Sequence, residues 1–275
     1  MVKMTENLRK ILQETSPALL ELKNVTVVKG RKKILDSVSL SVKTGENVAI
    51  IGPNGSGKSS LIKTFTKEYY PLAGEEGLVL KILGREAWHV FELRELLGIV
   101  SGELQQACCR KIRVLDVVLS GYFSSIGIYY NHRVAPWMEN RALEVLNFLE
   151  ISHLANREMN ELSSGEAKRV LIGRALVHDP LALILDEPTN SLDIKALHTF
   201  RQILRKIACS GKSVILVTHN LQDLIPEISR VVLIRDGKII KDGPKEKVLT
   251  DDNLSELFSL PIKVLEKEGY YQTWS

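Results

Sequence analysis

The feature that most constrains this chain is a glycine-rich turn directly after an apolar segment. Val48-Ala49-Ile50-Ile51 is a continuous apolar run, and the residues that follow it, GPNGSGKS, fit the pattern G-x-x-x-x-G-K-[ST]. The glycines of this pattern let the backbone curl, so that several N–H groups point at phosphate oxygens. The helix expected from Lys58 to about Phe65 adds its positive N-terminal end. The segment therefore predicts a phosphate-binding loop.

Two side chains of this loop have predicted roles. Lys58 supplies a positive charge to the β- and γ-phosphates, and the Ser59 hydroxyl is a hard oxygen ligand suited to Mg²⁺. We call the whole segment the phosphate loop; its members are Gly52, Pro53, Asn54, Gly55, Ser56, Gly57, Lys58, Ser59 and Ser60.

A second apolar run ends in two carboxylates. Leu181-Ala182-Leu183-Ile184-Leu185 reads as a buried strand, and Asp186-Glu187 follows it. A parallel strand would deliver these side chains to the sheet edge beside the phosphate loop. Asp186 is predicted to hold Mg²⁺ directly or through water, and Glu187 to polarise an attacking water.

The order of patterns along the chain predicts an α/β architecture. Alternating residues from Leu20 to Val27 and from Ser37 to Val42, with a polar turn at residues 29–33, indicate antiparallel β structure at the start. Continuous apolar strands alternate with helices elsewhere, which favours a doubly wound parallel sheet. Residues 102–160 are mostly helical in pattern, and the tail at residues 262–271 is strand-like. Leu8, Ile11 and Leu12 form one weak helical stripe near the N-terminus.

Composition excludes several classes of protein. The 275 residues contain no apolar run close to the roughly 18–20 residues that span a bilayer, so any membrane passage would need another chain. The first eighteen residues lack a secretory signal, and three cysteines fit a reducing compartment. A net charge of +4 does not require a nucleic-acid partner. The basic runs at residues 29–33 and 110–113 are read as solvated turns rather than a polyanion site.

A third segment discriminates among phosphate-loop proteins. Leu162, Ser163, Ser164, Gly165 and Glu166, here called the signature segment, begin a helix with capping-box spacing. Taken in order with the phosphate loop, Asp186-Glu187, Ser191-Leu192-Asp193 and Thr218-His219, the set resembles the ATP-binding-cassette (ABC) ATPases over roughly residues 19–250.

This resemblance implies a role for each matching position. The phosphate loop would be Walker A, Asp186 and Glu187 would close Walker B, and Glu187 would be the catalytic base. The signature segment would contact the γ-phosphate bound to the opposite subunit, which suits a helix N-terminus. Ser191, Leu192 and Asp193 would form the D-loop that couples two sites, and His219 would be the switch histidine.

Three departures from the family pattern affect these expectations. Lys29 stands where an aromatic ring usually stacks on adenine, so stacking is weaker or is replaced by the Lys29 stem and cation. In the family, a glutamine usually ends the strand that corresponds to Leu97–Val100, but here Ser101-Gly102 follows that strand. Gln105 and Gln106 come slightly later, and Gln105 is our candidate metal ligand. Ser164 and Glu166 replace the commoner glycine and glutamine, and Glu166 brings a negative charge near a phosphate.

The resemblance also implies fold and domain boundaries. We expect a P-loop NTPase of the α/β class, with a RecA-like core, an antiparallel β subdomain and an inserted α-helical subdomain. The expected ranges are 1–18 for an N-terminal extension, 19–250 for the ATPase domain and 251–275 for a C-terminal tail. Within the domain, residues 19–100 and 172–250 form the core and about 101–171 the helical subdomain.

One cassette makes half of each ATP site, so we expect a homodimer or a heterodimer with another cassette. Two functions remain open. The favoured one is the ATP- and Mg²⁺-dependent energising subunit of a transporter, cytoplasmic and peripheral to the membrane, with separate permease subunits. The tail from Leu257 to Glu266 resembles the ends of metal-chelate importer ATPases, which favours it.

The alternative is a soluble ABC ATPase with a regulatory role and no membrane partner. Two stretches, residues 98–105 and 114–127, resemble molybdate-related and photorepair-type cassettes and support that alternative. The transported or regulated substance does not follow from the sequence, because its recognition would lie in other chains.

Overall fold

The computed structural model describes residues 17–74 and 76–274. The helical stripe predicted from Leu8, Ile11 and Leu12 lies outside these residues. The chain divides into two compact units, of which the first combines the segment up to Leu93 with Val217–Ser275 and the second is Arg94–Leu216.

The first unit begins with an antiparallel sheet in the strand order β2-β1-β4. These strands are β1 (Ala18–Lys29), β2 (Lys32–Lys43) and β4 (Val79–Ile82). The turn expected over residues 29–33 is shorter than predicted. Lys29 pairs with Lys32, so only Gly30 and Arg31 form the turn. Gly30 has a φ of 63°, the left-handed conformation that two-residue hairpin turns use.

A parallel arrangement positions the phosphate loop. β3 (Val48–Ile51) is buried throughout and pairs in parallel with β8 (Arg230–Arg235), and β9 (Lys238–Pro244) continues the sheet in the antiparallel sense. The chain leaves β3 at its carboxyl end and enters α1 (Lys58–Phe65). The phosphate loop therefore lies at the carboxyl edge of a buried parallel strand, as predicted.

The end of the chain also belongs to the first unit. Two short helices, α8 (Lys245–Val248) and α9 (Asp251–Phe258), precede the antiparallel strands β10 (Lys263–Lys267) and β11 (Tyr270–Trp274). The tail expected to be strand-like is thus a hairpin of two strands. Glu268 and Gly269 have φ values of 55° and 80°, which makes the tight turn possible.

The second unit combines parallel strands with helices. β5 (Leu97–Val100) pairs in parallel with β6 (Ala182–Asp186), and the first residues of β7 (Ser213–Thr218) extend this order. Helix α2 (Val90–Leu96) leads into β5. The other helices are α3 (Gly102–Cys108), α4 (Val114–Leu119), α5 (Pro136–Phe148), α6 (Ser164–Leu176) and α7 (Ile194–Cys209).

Helices α4, α5 and α6 pack closely around a glycine. A Cβ placed on Gly173 of α6 would lie 3.2 Å from Leu149 and 3.4 Å from Val118. On α5, Leu146 is fully buried, whereas Leu143 is 40% exposed. The buried face of α5 is instead completed by Ala142 and Val145. No helix in the described parts of the chain is long and apolar enough to cross a membrane.

Candidate functional site

The phosphate loop presents backbone N–H groups at the start of a helix. Helix α1 begins at Lys58, and its N-cap residue Gly57, with a φ of 106°, provides no side chain to cap the first turn. The first N–H groups of a helix have no partner within it and attract anions. The local geometry therefore fits a phosphate group.

Lys58 closes this loop from within. Its ammonium donates hydrogen bonds to the carbonyl oxygens of Gly52 at 2.8 Å and Pro53 at 2.9 Å, and its side chain is buried. A lysine ammonium has three donors in a compact head, so it can exchange carbonyl oxygens for phosphate oxygens without leaving the loop.

Backbone packing leaves no room for a side chain at two glycines of the loop, Gly52 and Gly57. A Cβ on Gly57 would lie 2.7 Å from the Ile34 carbonyl oxygen, and one on Gly52 would lie 2.2 Å from that of Ile234. Gly237 approaches the same Ile34 carbonyl and donates its own N–H to Ser56 at 2.9 Å. The β1–β2 hairpin and the β8–β9 turn thus hold the loop in shape.

His219 follows the end of β7 in the same unit. The Gly52 N–H donates to the carbonyl oxygen of the preceding residue, Thr218, at 3.3 Å. The Thr218 hydroxyl donates to Asp223 and accepts from the Asn220 N–H, which fixes the backbone on both sides of His219. The predicted switch histidine is therefore anchored next to the first residue of the phosphate loop.

An aromatic ring does lie beside Lys29, although it comes from a distant part of the sequence. The Lys29 ammonium donates to the Tyr69 hydroxyl at 3.2 Å, and the Lys63 ammonium lies 5.8 Å from the centre of the same ring. Tyr69 is half-buried just beyond α1. Sequence reasoning missed it because it searched for aromatic residues only before the phosphate loop.

The acidic pair lies at the end of β6 in the second unit. Asp186 is the last residue of the strand, and Glu187 turns the chain away with a φ of 47°. The Glu187 carboxylate accepts a hydrogen bond at 2.8 Å from the side-chain amide of Asn190. The Asn190 amide therefore restrains the Glu187 carboxylate directly beyond the end of β6.

The signature segment leads into helix α6 through a complete capping box. Ser163 accepts from the Glu166 N–H, and the Glu166 carboxylate accepts from the Ser163 N–H at 2.8 Å and its hydroxyl at 2.7 Å. These hydrogen bonds lower the pKa of Glu166 below its ordinary value. The negative charge that looked unfavourable near a phosphate is thereby engaged with its own helix start. Leu162, the first residue of the segment, lies just before this N-cap, and Ser164 is the first residue of the helix.

The D-loop connects the acidic pair to helix α7. Ser191 has a φ of 68°, Leu192 donates its N–H to Thr189 at 3.0 Å, and Asp193 caps α7 by accepting from Ala196. A Cβ on Gly165 of the signature segment would lie only 2.9 Å from the Ala196 Cβ. The same Cβ would lie 3.7 Å from the Leu192 side chain, so the signature segment packs against the D-loop and the first turn of α7.

Gln105, the candidate metal ligand, lies on helix α3. Ser101 directly follows β5 and caps α3 by accepting from the Leu104 N–H at 3.3 Å, so a helix begins immediately after the predicted strand. Gln105 occupies the middle of that helix and is half-buried.

In the described residues no group of three or more His, Cys, Asp or Glu could hold a metal.

Comparison with known families gives a match over most of the site. A family model described as "ABC transporter" matches residues 35–190. The chain is 35% identical to an uncharacterized ABC transporter ATP-binding protein, YlmA, of Bacillus subtilis, over 90% of this chain and 93% of that one. It is 31% identical to the hemin import ATP-binding protein HmuV of Bradyrhizobium diazoefficiens, over 92% of each.

Solved structures agree with these relatives. An ATP-binding cassette of an ABC transporter in its ADP conformation has 27% identity and a TM-score of 0.75, covering 88% of this chain and 98% of that one. A dimeric cassette in a post-hydrolysis state with ADP and phosphate has 29% identity and a TM-score of 0.66, covering 82% and 98%. The likeness confirms the predicted fold class.

Proposed function

Because the chain belongs to the ABC transporter family, we propose that it binds ATP with Mg²⁺ and hydrolyses it through the residues described above. It is an ATP-binding subunit that energises transport through membrane subunits. The relatives that are ATP-binding subunits of transporters confirm the favoured prediction. None of the comparisons supports the alternative of a soluble regulatory ATPase.

The observation that carries the proposal is the position of Lys58. Its ammonium lies inside a loop that opens onto an uncapped helix start, so positive charge and N–H donors converge on one small space. In the proposed complex the ammonium binds the β- and γ-phosphates, and the backbone N–H groups of the phosphate loop surround their oxygens. ADP-bound relatives of the same fold support a nucleotide as the ligand.

Two oxygen donors are proposed as Mg²⁺ ligands. The Ser59 hydroxyl, at the start of α1, and the Asp186 carboxylate, at the end of β6, are both hard ligands of the kind that Mg²⁺ prefers. Gln105 is retained as a further candidate. When bound, the ion neutralises charge that develops on the phosphate oxygens during the reaction.

Glu187 is proposed to be the general base. It accepts the proton of a water that attacks the γ-phosphorus, the bond from that phosphorus to the bridging oxygen breaks, and ADP and phosphate are formed. His219 is proposed to hold the γ-phosphate, because its backbone is fixed beside Gly52. Lys58 offsets negative charge on the leaving group.

The signature segment is proposed to act in a second subunit. Helix α6 starts with a capping box whose backbone N–H groups and dipole favour a negative group ahead of the helix. A dimer with two ATP sites, each closed by the signature segment of the partner, accounts for its presence in a chain with a single phosphate loop. The partner is a second copy or another cassette, and a dimeric relative supports this assembly.

The transport partners are separate membrane subunits at whose cytoplasmic face the cassette works. The relative HmuV is a hemin import protein. For this chain we leave the cargo open, because the permease recognises it.

The test is Glu187→Gln in the full-length chain. We expect ATP to bind with near wild-type affinity, hydrolysis to fall by about a hundredfold or more, and the dimer to accumulate with ATP in size-exclusion chromatography. The exposed Glu256→Gln, on α9, is the control and should behave as the unaltered protein. Unchanged turnover of Glu187→Gln would refute the assignment of the base.

A further inference from the structure

Lys168 is a charged residue placed inside the second unit. It lies on helix α6, about one turn beyond the start of that helix at Ser164, and only 5% of its surface is exposed. A lysine is rarely buried to this degree unless polar partners satisfy its ammonium. The ammonium donates a hydrogen bond to the backbone carbonyl oxygen of Asn190.

Asn190 connects this contact to the proposed base. Its side-chain amide donates to the Glu187 carboxylate at 2.8 Å. The backbone around it is constrained, because Glu187 and Ser191, on either side, have φ values of 47° and 68°. Left-handed conformations at residues other than glycine are unfavourable by themselves, so they persist where surrounding contacts impose them. The Lys168 hydrogen bond to the middle of this segment is one such contact.

A second contact joins the same two elements. Gly165, at the start of α6, lies so close to Ala196 of α7 that an added Cβ would be 2.9 Å away, and Leu192 is 3.7 Å away. Helix α6 is therefore attached to the segment from Glu187 to Ala196 at two points, one turn apart. A shift of the helix must carry that segment with it, because moving either contact would cause a clash or break the Lys168 hydrogen bond.

We propose that Lys168 is a positioning residue for Glu187, and that it acts by holding the Asn190 carbonyl so that the Asn190 amide orients the carboxylate. The placement of the signature helix thereby sets the placement of the base in the same subunit. This inference rests on the proposed function, since it needs Glu187 to act in hydrolysis. It assigns to Lys168 and Asn190 a role in turnover and none in ATP binding.

The test uses Lys168→Met and Asn190→Ala in the full-length chain. Methionine keeps most of the length of the buried side chain, and replacing a buried charge by an apolar group of similar size is often tolerated. We expect each variant to lower kcat by about tenfold or more while KM for ATP stays within about twofold, because uniform binding is untouched. Lys206→Met is the matched control. It removes an exposed lysine of α7 that forms an ion pair with Glu150.

The double variant distinguishes a relay from two independent effects. If Lys168 acts through the Asn190 amide, Lys168→Met should lower kcat little further in a chain that already carries Asn190→Ala. Full multiplication of the two effects would overturn the proposal, and so would a wild-type kcat in either single variant. A parallel loss of ATP affinity and unfolding midpoint in Lys168→Met would show a purely structural role and would overturn it as well.

Asn190 is exposed, so Asn190→Ala tests the proposal even if Lys168→Met does not fold. Glu187→Gln, measured in the same assay, tests the role of Glu187 separately from that of Lys168. Fast hydrolysis in Glu187→Gln would refute the assignment of Glu187 as the general base. An inactive Glu187→Gln beside a fully active Lys168→Met would leave the proposed function standing and overturn only the role of Lys168.

Discussion

The Lys58 ammonium lies 2.8 Å from the carbonyl oxygen of Gly52, at the opposite end of the same loop. Lys58→Met removes the charge and keeps the length of the side chain. We expect nucleotide affinity to fall by at least about tenfold, or 1.4 kcal/mol, measured by calorimetric titration of ATP. Lys241→Met, an exposed substitution on β9 of the same unit, is the control. Retained micromolar affinity in Lys58→Met would contradict the phosphate role.

Gly57→Ala should destabilise the protein strongly. The residue has a φ of 106°, and a Cβ would lie 2.7 Å from the Ile34 carbonyl oxygen, so backbone strain and a clash add together. We expect a loss of about 2–3 kcal/mol in the free energy of unfolding, measured by urea denaturation.

Gly45→Ala is the matched control for this substitution, because its φ is 82° and no atom lies within 4 Å of the added Cβ. It should lose only the strain contribution, about 1 kcal/mol. Equal losses in the two variants would show that the clash between the added Cβ of residue 57 and the Ile34 carbonyl oxygen does not lower the free energy of unfolding.

Glu166 should make stability depend on pH. Its pKa is lowered in the folded protein, chiefly by the Ser163 side chain. A carboxylate with a lowered pKa stabilises the fold above its unfolded pKa of about 4.3, and this contribution disappears as pH falls through the folded value. The difference in unfolding free energy between the unaltered chain and Glu166→Gln should therefore shrink below about pH 4. A difference that stays constant from pH 7 to pH 3 would contradict the capping role of the carboxylate.

The protein should discriminate only weakly between the adenine of ATP and the guanine of GTP. Lys29, which donates to the Tyr69 hydroxyl, stands at the position where the family resemblance leads us to expect an aromatic ring that stacks on adenine. We expect GTP to compete with ATP within about one order of magnitude, or 1.4 kcal/mol. Lys29→Tyr should raise the preference for ATP, because a ring then faces the base directly. A strong preference for ATP in the unaltered chain would mean that another group recognises adenine.

Local patterns predicted the parts of the site that local geometry determines. The phosphate loop, the helix from Lys58, the capping box of Ser163 and Glu166 and the strand that ends at Asp186 each depend on neighbouring residues, and each has the predicted secondary structure. The length of the turn at Gly30 was predicted wrongly because glycine permits several turn lengths and only strand pairing selects one. The strand-like character of the tail was predicted, but its division into a hairpin depends on that same pairing.

Contacts over long separations could not be predicted. Tyr69 meets Lys29 across 40 residues, and Lys168 meets Asn190 across 22. Neither pair has a spacing signal, because packing of whole elements brings the side chains together. Lys168 is followed by a second cation, Arg169, so the sequence does not show which of the two is buried in the folded helix.

The contact between Gly165 and Ala196 restricts how chains of this kind can be recombined. Helices α6 and α7 pack against each other, so in a recombined chain both must come from parent proteins whose side chains fit together at this contact. A hybrid gene that takes residues 162–176 from one relative and residues 187–209 from another will work only when the combined volume at these two positions stays as small as glycine plus alanine. The crossover that respects this limit keeps both helices in one inherited block.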